Sequence, residues 1–161
     1  MKTLVTYFSR TGQTARVAKE IAKRCDGHVD AICPQLSADS WLGAWRSGWQ
    51  ALVQAEPPIQ RPLRNPAAYD LVIIGVPVWR VGLAAPVRSY VRQYAPRFKE
   101  VAFFCAEGRG AEASGFAELA RLCGKKPIAV FNVTRKHLPT AAHRKDVFDF
   151  VESVRGQPLG L

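Results

Sequence analysis

Two short runs of the chain are apolar at nearly every position rather than at every second one. They are DLVIIGV from Asp70 and EVAFFC from Glu100. A strand with apolar residues on both faces must be covered on both faces, which is typical of a parallel sheet packed between helices. The two runs therefore predict an α/β fold.

Three further segments are dense in β-branched and aromatic residues and are also predicted to be strands. They are TLVTYF from Thr3, HVDAIC from His28 and PIAVFN from Pro127. Stretches with helical spacing follow four of the five strands. Their apolar positions are Ala15, Ala18, Ala22 and Cys25, then Val87, Tyr90, Val91 and Tyr94, then Ala113, Phe116, Ala117 and Ala120, and finally Val147, Phe150, Val151 and Val154. Strands that alternate with helices predict right-handed crossovers within one open sheet.

Proline and glycine mark the ends of these elements. Pro86 stands where the first turn of a helix tolerates proline, and Gly124 stands just past the fourth helical stretch, where a left-handed cap is favoured. The Pro-rich segment 56–66 is predicted to be a surface loop rather than a linker between domains.

Length and cysteine use bear on domain number and compartment. With 161 residues, 48% of them hydrophobic, we expect one domain spanning residues 1–161. The four cysteines, Cys25, Cys33, Cys105 and Cys123, form no C-x-x-C pair, so no zinc or other metal site is expected. The N-terminal apolar stretch is too short for a signal peptide, and no segment has the roughly 20 apolar residues of a membrane span. Together these features predict a cytoplasmic protein.

The turn after the first strand has the composition of a phosphate site. It reads Ser9-Arg10-Thr11-Gly12-Gln13-Thr14. Three hydroxyls, a glycine that permits tight curvature and the unpaired N–H groups of a helix start can together hold a phosphate. The alternative is that Ser9 or Thr11 only caps the helix and Gly12 only allows the turn.

Two later loops are predicted to lie beside that turn, because the carboxyl ends of parallel strands share one edge of a sheet. Pro77-Val78-Trp79-Arg80-Val81-Gly82 follows the third strand, and Trp79 is predicted to be a stacking surface rather than a core residue. Cys105-Ala106-Glu107-Gly108-Arg109-Gly110 follows the fourth, and its glycines let backbone approach a flat ligand; the alternative is a flexible crossover turn.

The segments YFSRTGQT, YDLVIIGVPVW and AAPVRSYV resemble the flavodoxin family, and the resemblance covers nearly the whole chain. It implies a doubly wound sheet of five parallel strands in the order 2-1-3-4-5, with helices on both faces and non-covalently bound flavin mononucleotide (FMN). By this resemblance the residues from Ser9 to Thr14 hold the FMN phosphate, and the loops 77–82 and 105–110 line the isoalloxazine ring. Val76, Glu107 and Arg109 depart from the family pattern near that ring.

The function expected from this resemblance is electron transfer by an FMN-binding flavoprotein. The flavin carries the chemistry, so no catalytic side chain is assigned. An FMN-dependent oxidoreductase linked to quinones is the alternative within the same class. A flavin-free interaction protein that retains the fold is the alternative from another class.

Charge narrows the partners. Twenty-three Lys and Arg against thirteen Asp and Glu give a net charge of +10, so the expected partners are an acidic redox protein, a quinone-like small molecule or an anionic membrane surface. Basic residues cluster late in the chain, at Arg135, Lys136, His137, Arg144 and Lys145. No RNA-binding or helix-turn-helix signature accompanies them, so nucleic acid is not an expected partner.

Trp41, Trp45 and Trp49 recur every four residues and share one face of a predicted helix. Packing of this tryptophan stripe against the sheet is favoured. The alternative is an exposed patch that contacts substrate or a second copy in a homodimer.

Overall fold

The computed structural model describes residues 1–35, 56–77, 82–106, 112–133 and 141–156. Five strands form one parallel sheet: β1 Thr3–Tyr7, β2 His28–Ala31, β3 Leu71–Pro77, β4 Glu100–Ala106 and β5 Val130–Val133. Their order is β2-β1-β3-β4-β5. The predicted α/β class and the 2-1-3-4-5 order are therefore confirmed.

Helices cover both faces of the sheet. They are α1 Gln13–Cys25, α2 Ala85–Tyr94, α3 Glu112–Cys123 and α4 Ala141–Arg155. On one face, α2 and α3 bury residues such as Val87 and Leu119 against Ile74 of β3. On the other face, α1 and α4 pack residues such as Ile21 and Val151 against the same sheet. The core is thus two apolar layers, one on each side.

The central strands are buried as their composition predicts. All seven residues of β3 are buried, and so is β4 after Glu100. The edge strand β5 instead alternates between exposed and buried positions, with Val130 and Asn132 exposed and Phe131 and Val133 buried. Burial on both faces is therefore confined to the strands whose sequence is continuously apolar.

The predicted helix boundaries hold, but the predicted apolar face of α3 was partly wrong. Gly124 has a φ of 62°, and its N–H and that of Lys125 donate to the carbonyls of Arg121 and Ala120, which closes the helix in a Schellman motif. Within α3, however, Ala113 and Ala117 are exposed, whereas Leu119 and Cys123 are buried. Alanine buries so little apolar area that the larger side chains determine which face packs.

The Pro-rich segment is more ordered than a plain loop. Ile59 forms an antiparallel bridge with Pro34 next to β2, and the N–H of Gln60 donates to the carbonyl of Cys33. A short 3₁₀ turn, Pro66–Ala68, then leads into β3. Among the helices in the described ranges, none is long and apolar enough to cross a membrane.

Candidate functional site

The strand register brings the predicted loops to one edge of the sheet. Tyr7, near the end of β1, pairs with Gly75 of β3, and Pro77 pairs with Ala106 of β4. The N–H of Phe8 donates to the Gly75 carbonyl at 3.1 Å, which extends the β1–β3 contact past the end of β1. The first loop and the starts of the second and third loops therefore share the carboxyl edge, where doubly wound sheets bind ligands.

The first loop is held in a tight turn at the start of α1. Gly12 caps the helix with a φ of 88°, a left-handed conformation that side-chain-bearing residues rarely adopt. The Ser9 Oγ accepts a hydrogen bond from the Gly12 N–H at 3.0 Å, and the Gly12 carbonyl accepts one from the Arg16 N–H at 3.0 Å. The serine and the glycine predicted from sequence thus act together to shape the turn.

The chemistry of this turn fits an anion. The first turn of α1 contains no acidic residue, and the N–H groups at a helix start have no carbonyl partner within the helix. Arg10 and Thr11 are exposed, Ser9 and Gln13 are half-buried, and Thr14 is buried with 2% of its surface exposed. Hydroxyl and N–H donors beside a positive helix end are the groups that bind phosphate. The structure therefore brings Ser9 to Thr14 together as one donor set.

The bases of the other two loops lie where the sequence places them. Pro77 ends β3, and Cys105 and Ala106 end β4; all three are buried. Gly82 is half-buried and has a φ of 113°. The remaining predicted ring residues lie outside the described residues: Val78, Trp79, Arg80, Val81, Glu107, Gly108, Arg109 and Gly110. The tryptophan stripe at 41–49 and the basic residues 135–137 also lie outside them.

Glu118 of α3 supports the second loop and was not predicted from the sequence. Its Oε2 accepts a hydrogen bond from the Leu83 N–H at 3.3 Å, and its Oε1 lies 2.9 Å from the Arg88 guanidinium of α2. The carboxylate therefore fixes the end of the loop that Gly82 closes. No spacing signal could reveal this contact, since Glu118 and Leu83 are 35 residues apart in the chain.

The cysteines are mostly interior. Cys25, Cys105 and Cys123 are buried, Cys33 is partly exposed, and no disulfide joins these four described residues. Burial raises the pKa of the Cys123 thiol to about 12 and also raises the pKa of Cys25. Burial thus keeps the Cys123 thiol protonated at neutral pH. Within the described ranges, no group of three or more His, Cys, Asp or Glu residues could hold a metal ion.

Comparison with known proteins agrees with this architecture. The family model described as flavodoxin matches residues 2–154. A protein from Bacteroides eggerthii assigned as a flavoprotein has a TM-score of 0.74 and 22% identity, over 97% of this chain and 99% of its own. A flavoprotein from Lactobacillus acidophilus, solved in complex with FMN, has a TM-score of 0.63 and 27% identity, over 81% of this chain and 92% of its own.

A classical family member shows the same fold at lower identity. Oxidised flavodoxin 1 from Bacillus cereus has a TM-score of 0.58 and 14% identity, over 98% of this chain and all of its own. No curated protein matches the chain in sequence. Because the family model covers nearly all of the chain, this protein belongs to the flavodoxin family.

Proposed function

We propose that this protein binds FMN at the carboxyl edge of its sheet and transfers electrons through it. The observation that carries the proposal is the turn from Ser9 to Thr14, whose donors surround a helix start beside the ends of β3 and β4. Membership of the flavodoxin family and the FMN complex of the Lactobacillus acidophilus relative support the choice of flavin.

The first loop would hold the phosphate of FMN. The N–H groups at the start of α1 and the hydroxyls of Ser9, Thr11 and Thr14 are the donors for this role. The loops 77–82 and 105–110 would line the ring, with Glu118 fixing the end of the first of them through Leu83. Bound FMN supplies one- and two-electron transfer, while the chain orients the ring and limits its contact with water.

The electron-transfer partner would carry negative charge or be an uncharged quinone-like molecule. The net charge of +10 disfavours a partner with a basic docking surface. The same charge would draw the protein to anionic membrane surfaces, where quinones are found, and this favours a quinone-linked oxidoreductase as the second candidate. A cytoplasmic location is part of this proposal.

A flavin titration tests the cofactor proposal. Apoprotein is titrated with FMN and, separately, with riboflavin, which has the same ring but no phosphate. FMN should bind at least about tenfold more tightly, since the phosphate makes charge-assisted hydrogen bonds with the first loop. Equal affinities would contradict the role of the loop. The absence of binding to either flavin would favour the flavin-free interaction protein.

The electron-transfer proposal needs a separate measurement. Chemically reduced, FMN-loaded protein is mixed anaerobically with a soluble naphthoquinone or with an acidic ferredoxin, and reoxidation is followed by absorbance. Reoxidation by the ferredoxin that slows as salt rises indicates an electrostatically guided protein partner. Rapid reoxidation by the quinone alone favours the quinone-linked oxidoreductase, and reoxidation by neither acceptor contradicts the proposal.

A further inference from the structure

A second polar cleft lies away from the candidate FMN site. Its volume is about 650 Å³, within the range of small-molecule sites. One wall is the segment 61–66, which leads into the amino end of β3, and the other is the end of α2 with Arg97, three residues before β4. The cleft therefore lies towards the amino edge of the sheet, whereas the first loop lies at the carboxyl edge.

Three arginines line this cleft and no carboxylate does, among the described residues. Arg61 and Arg64 stand on the segment wall, and Arg97 stands on the helix wall. All three are exposed, and none forms an ion pair with a carboxylate in the described ranges. Arg88 and Arg92, on the same side of the sheet, are by contrast paired with Glu118 and Glu56. The cleft thus concentrates positive charge that no carboxylate in its lining offsets.

The segment wall is anchored to the sheet. The backbone N–H of Arg64 donates to Oδ2 of Asp30 at 3.0 Å, and Asp30 is a β2 residue with 4% of its surface exposed. Next to Arg64, the Asn65 side chain accepts a hydrogen bond from the Ala67 N–H at 3.2 Å and begins the 3₁₀ turn. The Asp30 carboxylate is directed at the backbone, so it fixes the wall without lining the cleft.

The helix wall is ordered as well. The Arg97 guanidinium lies 5.6 Å from the centre of the Tyr94 ring, and Tyr94 is itself 93% buried in the core below α2. This cation–π contact restricts the arginine and holds its charge at the cleft. Gln93 and Gln35 add amide groups to the lining. Both walls therefore present donors from positions fixed by the fold.

We propose that this cleft binds a small polyanion with at least two oxyanion groups, phosphate or carboxylate. Guanidinium groups bind both kinds of oxyanion with paired hydrogen bonds. Because the arginines stand on two walls, a ligand with two anionic groups can engage both at once, which a single small anion cannot do. The concave shape favours a small molecule over a protein or membrane surface. This inference does not depend on the proposed FMN function.

The test is calorimetric titration of FMN-saturated protein with pyrophosphate and, separately, with citrate, in low salt. FMN fills the first loop, so the added anion reports on the cleft. At least one probe should bind at one site, and the comparison shows whether the site prefers phosphate or carboxylate. Arg64→Gln combined with Arg97→Gln should weaken that binding at least about tenfold.

Two variants control for charge and for the first loop. Arg121→Gln with Arg144→Gln removes the same charge from exposed positions of α3 and α4 outside the cleft, and should change the affinity by no more than about twofold. Thr11→Ala with Thr14→Ala, titrated as apoprotein, should retain the anion binding even if FMN does not bind. Urea unfolding confirms that each variant is folded.

Three results would overturn the proposal. The first is that neither pyrophosphate nor citrate binds, including when only anionic vesicles or an acidic protein do. The second is that both arginine pairs weaken binding equally, which indicates a general charge effect. The third is that the threonine variant loses anion binding, which places the anion in the first loop. NMR amide shifts confined to Gln93, Arg97 and the segment 61–66 would give independent support.

Discussion

The ring of Phe104 fills the space beside Gly75 that any larger residue at this position would need. The two residues are register partners on β3 and β4, and a Cβ built on Gly75 would collide with the ring atoms of Phe104. Gly75 also pairs with Tyr7 of β1 and accepts the hydrogen bond from the Phe8 N–H. The close contact thus lies directly under the edge that carries the first loop.

Gly75→Ala is expected to destabilise the protein. The added methyl group must displace the Phe104 ring within a closely packed core, which costs roughly 1–3 kcal/mol of the free energy of unfolding. Urea unfolding measures the change. Combined with Phe104→Leu, Gly75→Ala should cost clearly less than it does in the parent, since the smaller side chain leaves room. Additive losses in the two single variants and the double variant would show that the ring is not the obstacle.

Removing two hydroxyls from the first loop is expected to weaken FMN binding selectively. Thr11→Ala with Thr14→Ala should reduce the binding free energy of FMN by about 1–3 kcal/mol, because hydrogen bonds to a charged phosphate are lost. Riboflavin affinity should stay nearly constant. Ser153→Ala in α4, whose hydroxyl donates to the Phe150 carbonyl, serves as a hydroxyl-deletion control away from the loop. If FMN and riboflavin weakened equally, the threonines would act on the fold rather than on the phosphate.

Trp79 is predicted to lie against the flavin ring. Trp79→Ala should bind FMN more weakly by about 0.5–1.5 kcal/mol, the usual contribution of an aromatic pair, and the bound flavin should fluoresce more strongly. Steady-state flavin fluorescence at saturation measures the effect. Phe148→Ala, which removes an exposed aromatic residue from α4, is the control. Parent-like affinity and fluorescence in Trp79→Ala would indicate a core role for this tryptophan.

Glu118 is expected to stabilise the second loop through two separate contacts. Glu118→Ala removes the acceptor for the Leu83 N–H and leaves the largely buried Arg88 guanidinium without this partner, at a cost of roughly 1–3 kcal/mol in unfolding free energy. Glu118→Gln keeps an acceptor for Leu83 and should recover part of that loss. Glu152→Ala, which breaks an exposed pair with Arg155, should cost less than about 1 kcal/mol. Equal stability of the alanine and glutamine variants at Glu118 would assign the whole effect to the ion pair.

The buried thiol of Cys123 should make the protein lose stability in alkali. Its pKa is about 12 in the folded protein against an ordinary 9.0, so between these values the unfolded chain holds fewer protons than the folded one. The free energy of unfolding therefore falls as pH rises through this window, and the contribution is fully retained below pH 9.0.

Urea unfolding between neutral pH and pH 11 tests this contribution. Cys123→Ala should reduce the slope of stability against pH by up to about 1.4 kcal/mol per pH unit, the value for one proton. Leu122→Ala, beside it in the same core cluster, should lower stability at every pH without changing the slope. A slope in Cys123→Ala that matches the parent would contradict the predicted role of the thiol.

Much of the fold could be predicted because each central element repeats one physical signal along its length. The continuous apolar runs at Asp70 and Glu100 can be stable only between two layers, and β3 and β4 are buried in that way. The weaker prediction was the face of α3, where Ala113 and Ala117 matched the helical spacing but are exposed. Small residues satisfy a periodic pattern without fixing which side packs.

The candidate site could be predicted only where it is local in sequence. The turn from Ser9 to Thr14 contains its own glycine and hydroxyls, so its shape is encoded in six adjacent residues. Glu118 and Gly75 depend instead on partners brought close by the fold, Leu83 in one case and Phe104 in the other. A glycine within an apolar strand does hint at a close approach, but the sequence does not say which ring comes near.

The outer strands of the sheet are its shortest, and this limits how the protein can associate with itself. β2 and β5 have four residues each, whereas β3 and β4 have seven. Beside β2 lie Pro34, which bridges to Ile59, and the prolines Pro57 and Pro58, none of which has an N–H to offer an incoming strand. Short, proline-flanked edges give a foreign strand few hydrogen bonds to complete, so the sheet is a poor template for fibril growth or domain exchange.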